Sequence, residues 1–251
     1  QAIYGGGNVG ILEGTSNVQI NGGTSSQVYG GGNQAEVTTP TVTINDGNNE
    51  NVYGGGNQAE VTDSTVTVKG GKNQNIYGGG NQAGAQSTKI VVSGGDSNAI
   101  YGGSNASGVV VSSNILIQGG NTLNIYGGNN EGGTTQTSNI TVSGGTSGNL
   151  FGGGNKANTT TSNVTVNNGK ITNVYGGANQ ADVTTTNVII TGGNIEKAFG
   201  GSNQSGTVTQ SNVSLEGSSG QPTLGGIKMD VDYKAVVMED VEKTIVECCG
   251  K

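Results

Sequence analysis

Apolar and polar positions along residues 1–226 recur with a period of 24 or 25. An aromatic followed by Gly-Gly stands at Tyr4, Tyr29, Tyr53, Tyr77, Tyr101, Tyr126, Phe151, Tyr175 and Phe199. It is preceded by an apolar residue at Ile3, Val28, Val52, Ile76, Ile100, Ile125, Leu150 and Val174, and by Ala198 at the ninth place. A middle segment carries a small residue and then an apolar one two positions later, as in Ala35/Val37, Ala59/Val61 and Ala181/Val183. A third segment alternates, with pairs such as Val18/Ile20, Val42/Ile44, Ile90/Val92, Ile140/Val142 and Val213/Leu215. Spacing of two with β-branched residues is the strand period, and no helical spacing is sustained before residue 226.

Nine copies at a fixed period describe one supersecondary unit stacked nine times. The pattern predicts an all-β fold, a parallel β-solenoid of nine to ten coils, each made of three short strands and rising about 4.8 Å over the last. Residues 1–226 form the solenoid, and residues 227–251 form a separate strand-like tail or cap. Glycine pairs such as Gly22-Gly23, Gly70-Gly71, Gly94-Gly95 and Gly144-Gly145 fall at one corner, where a positive φ or close approach of coils excludes a Cβ.

The most regular polar position lies four residues after the aromatic: Asn8, Asn33, Asn57, Asn81, Asn105, Asn130, Asn155, Asn179 and Asn203. Stacked amides donate to one neighbour and accept from the other, so this column reads as structural, with a ligand-contacting row as the alternative. The aromatic column is open between two placements. Successive strand residues point to opposite faces, so either the aromatic or the apolar residue before it faces outward unless the glycines bend the chain. An exposed column would suit lateral packing or sugar stacking; a buried one would be core.

Composition removes most other chemistry. Glycine accounts for 50 of 251 residues, charged residues for 11%, and the net charge is −7. There is no His for a Ser-His nucleophile and no Arg to clamp phosphate or carboxylate. Glu36, Glu60 and Asp182 stand at equivalent loop places in separate coils, which suits a solvated edge better than a glycosidase pair. The reading is a non-enzyme without cofactor or metal. Acidity and scarce Lys argue against a nucleic-acid partner, and no stretch is long enough to span a membrane as a helix. The row between the paired apolar positions, Thr43, Thr67, Val91, Leu116 and Thr141 among others, is too broken for the flat Thr array of an ice binder.

The ends differ from the repeats. The first residues already lie inside a repeat, so the sequence reads as a mature or excised chain whose first coil needs a partner. Leu224-Gly225-Gly226 resembles a degraded tenth aromatic-Gly-Gly. Beyond it Ile227, Met229, Val231 and Tyr233 alternate with charged residues, which predicts a strand that either caps its own coil or docks on a neighbouring subunit. The stretch 236–246 is ambiguous between strand and short helix. Cys248 and Cys249 are adjacent and are the only cysteines. They are candidates for intermolecular cross-links, for free thiols, or for a vicinal disulfide or acyl attachment; two thiolates without His make half a zinc site.

At the Ile3-Tyr4-Gly5-Gly6-Gly7-Asn8 and Val28-Tyr29-Gly30-Gly31-Gly32-Asn33-Gln34-Ala35 segments, with their trailing NVTV-like strands, the sequence resembles the long Gly-rich β-strand repeat proteins of bacterial surfaces and secretions. The resemblance covers residues 1–226, implies an extracellular β-solenoid with structural or adhesive roles, and carries no catalytic residues. The expectation is a secreted or cell-surface structural protein that stacks head to tail on copies of itself. An adhesin stalk or carbohydrate-binding module using the aromatic row, with glycans or cell-surface components as partners, is the second reading.

Overall fold

The computed structural model describes residues 1–216 and 244–249. Within them the chain is all-β and winds as a parallel β-solenoid of nine turns, each starting here at its aromatic residue, from coil 1 at Tyr4 to coil 9 at Phe199. Every strand pairing among the described residues is parallel, and within residues 1–216 the partners are 24 or 25 apart, as Tyr29 with Tyr53, Val42 with Val66 and Ile140 with Val164. Neighbouring coils therefore share one register, and their backbone hydrogen bonds run along the solenoid axis.

A coil holds two strand segments rather than three. In coil 3 the chain makes a loop over residues 54–60, then the strand Val61–Val68, a corner, and the strand Lys72–Tyr77. The middle and alternating segments merge because Thr62-Asp63-Ser64-Thr65 offers no Gly or Pro to break them; the strand only bends, with Thr62 and Asp63 both outward before Ser64 turns in. Where the corner also stays extended, both segments fuse into one run, as in Thr134–Phe151 and Asn158–Tyr175.

Three aliphatic columns fill the interior: Val18 through Val213, Ile20 through Ile190, and Val28 through Val174. The corner glycines take the predicted left-handed conformation, with φ of 78° at Gly71, 81° at Gly95 and 80° at Gly145. The first glycine after each aromatic is needed for a different reason. A Cβ on Gly54 would collide with the carbonyl oxygen of Gly78 in the next coil. The third glycine is less restricted, since Ser104, Asn129, Ala178 and Ser202 occupy its place. Buried Asn129 uses that place fully: its Oδ1 accepts from Ser104 N at 2.9 Å, and its Nδ2 donates to the carbonyls of Gly108 and Gly132 at 2.9 and 3.0 Å.

Candidate functional site

The aromatic residues form a continuous stack of nine rings. Adjacent centroids are 4.7 to 5.0 Å apart and the planes lie within 10° of parallel. Tyr29, Tyr53, Tyr77, Tyr101, Tyr126 and Phe151 are buried, Tyr175 and Phe199 half-buried, and only Tyr4 at the open end reaches 37% exposure. The column is core. Neighbours in sequence are both buried because they serve different clusters: Val52 packs with the aliphatic columns and Tyr53 with the other rings. Burial raises the phenol pKa at Tyr29, Tyr53, Tyr77, Tyr101, Tyr126 and Tyr175. The polar side chain of Asn105 offsets part of that rise at Tyr53. Of the two placements left open by the sequence the column takes the buried one, and among the described residues it forms no outward aromatic stripe for stacking sugars.

The predicted Asn column is an unbroken ladder. From Asn33 to Asn203 each Nδ2 donates to Oδ1 of the Asn one coil earlier, at 2.7 to 2.9 Å. Most rungs are half-buried, while Asn8 and Asn203 at the ends are exposed. All rungs point the same way. Among the described residues Asn8 therefore keeps an unused donor at one end, and Asn203 an unused acceptor at the other.

Two internal rows went unread in the sequence. One is a second ladder in which Asn139, Asn163, Asn187 and Asn212 each donate to the Asn one coil earlier, starting from Asn114. The other is a buried hydroxyl row: Ser16, Ser64, Thr88, Ser113, Ser138, Ser162 and Thr186 donate to the carbonyl of the glycine fourteen residues on, at 2.5 to 2.8 Å. Pro40 interrupts the row, and Ser211 ends it, with its counterpart Gly225 outside the described residues. The signal was present: a Ser, Thr or Pro two places before the first paired apolar residue in all nine coils.

Among the described residues, one face of coil 1 is only partly covered by a neighbouring strand. The strand Leu12–Tyr29 pairs on one side with Val37–Tyr53, but on the other only its last residues meet a strand, Ala2–Tyr4. Among the described residues, four of the six large exposed apolar side chains gather there: Tyr4, Val9, Ile11 and Leu12, with Val9 at 67% and Ile11 at 70% exposure. Such an edge is a template for another strand.

At the other end the strand Thr244–Cys249 adds in parallel to Val208–Glu216 of its own chain, with Thr244 opposite Ser211, Val246 opposite Val213 and Cys248 opposite Leu215. Cys249 stands opposite Glu216. Thr244 follows Ser211 by 33 residues, more than the 24 or 25 of the repeat, and the final strand occupies the place of a next coil beside Val208–Glu216. Ile227, Met229, Val231 and Tyr233 lie outside the described residues. Glu36, Glu60 and Asp182 are exposed in separate coils.

No family model, curated protein or solved structure matches this chain.

Proposed function

We propose that the protein is an extracellular or cell-surface structural subunit that lengthens into a filament by stacking solenoid ends, with copies of itself as partners. The polarity of the stack carries the proposal: coils pair in parallel and every rung of the Asn ladder donates toward the earlier coil, so the two faces of any coil are unlike and complementary. A contact that joins unlike ends is heterologous and gives an open filament when its rotation does not close. The one-way ladder also favours head-to-tail over head-to-head contact, because two first coils would bring donor against donor. Resemblance to Gly-rich repeat proteins of bacterial surfaces supports the location. Cys248 and Cys249, at the opposite end, would lock joints as intermolecular disulfides.

Purified full chain, followed by light scattering and negative-stain microscopy over increasing concentration, is expected to form rods of solenoid width that lengthen with concentration. Ile11→Lys with Val9→Lys should keep the fold and block growth. A chain that stays monomeric at high concentration, or a lysine variant that assembles as well as the parent, overturns the reading. Electrophoresis with and without reductant reads the cross-link separately.

A further inference from the structure

Just past the corner glycines, six successive coils share a groove of about 710 Å³ that runs along the solenoid axis, within the size range of ligand sites. It arises from the local backbone. At each coil two outward residues flank one inward residue, as Lys72 and Gln74 flank buried Asn73 in the strand Lys72–Tyr77. Repetition turns these triplets into two parallel rails of side chains, with Asn48 and Glu50 one coil earlier and Asn98 one coil later.

The amides of the two Asn columns satisfy one another in ladders, and on one rail Asn121 donates to Asp96 at 2.9 Å. Asn48, Gln74 and Asn98 are different: among the described residues they are exposed and bond no other side chain. Each offers both a donor and an acceptor. The coil rise here, given by ring spacings of 4.7 to 4.9 Å, is close to the interval between successive pyranose units in an extended polysaccharide. Rail charges of both signs, Glu50, Lys72 and Asp96, disfavour a polyanion. Leu123, 56% exposed on one rail, presents an apolar surface to the face of a sugar ring.

We propose that this groove binds a neutral linear polysaccharide laid along the solenoid axis, one sugar per coil, over five to six sugars. This site is separate from the buried aromatic column and does not depend on end-to-end assembly.

The full chain is titrated with cellohexaose, xylohexaose and mannohexaose, with polygalacturonate as the anionic comparison, by affinity electrophoresis and amide chemical-shift mapping. At least one neutral hexasaccharide is expected to bind saturably and to shift the amides of residues 72–98. Gln74→Ala with Asn98→Ala should weaken that binding at least tenfold, while Thr62→Ala with Gln86→Ala, exposed on another row, should leave it unchanged. Circular dichroism verifies that both double variants keep the strand signal. Absence of binding to all three neutral probes, binding by polygalacturonate alone, shifts that map outside the groove, or affinity indifferent to the Gln74/Asn98 change overturns the assignment.

Discussion

The hydroxyl of Ser138 illustrates how single side chains hold a coil closed. It crosses the interior to the carbonyl of Gly152 at 2.6 Å, in space left by the missing Cβ on the neighbouring glycines. Ser138→Ala strands that carbonyl in a buried place, which costs about 1 to 3 kcal/mol. Ser138→Thr should restore most of the loss, because Thr88 and Thr186 fill the same row natively with the same bond. Exposed Thr160→Ala serves as the comparison and should stay within about 0.5 kcal/mol. Denaturant midpoints of the three variants check the ordering. This row escaped sequence reading because Ser, Thr and Pro alternate there among other Thr and Asn residues. The Asn column was legible because one residue type never varies.

Among elements, the aromatic column makes the sharpest prediction about pH. A phenol in the unfolded chain ionises near its ordinary value of 10. Burial holds the folded-state pKa of six tyrosines above that, so beyond pH 10 the unfolded chain releases protons the folded one retains. Stability is thus fully present below pH 10 and falls as pH rises past it. Phenolate absorbance and strand circular dichroism should change together in a cooperative alkaline transition. Independent titration of most tyrosines near pH 10 with the strand signal intact would contradict the buried column. Sequence alternation could not decide this placement: it assigns Val52 and Tyr53 to opposite faces, and the fold packs a cluster on each. The coil period, the corner glycines and the paired apolar columns were legible, since each repeats at fixed spacing. The merged strand was not, because a bend leaves no Gly or Pro to mark it. The groove depends on backbone recesses that no residue type signals.

For the whole molecule, the one-way register of parallel pairings has a mechanical consequence. Backbone bonds between coils lie along the axis, so tension between the two ends loads them one interface after another rather than all at once. A coil peeled from the stack frees about 24 residues, which at 3.3 to 3.6 Å each lengthens the chain by roughly 80 Å. Pulling a single chain from its termini should give a sawtooth of near-equal steps of that size, and one large rip would contradict sequential peeling. Between steps the remaining coils keep their neighbours and their ladders. Under load such a rod would yield length in fixed increments and absorb work at every interface, with the undisturbed stack as the template on which each released coil rewinds.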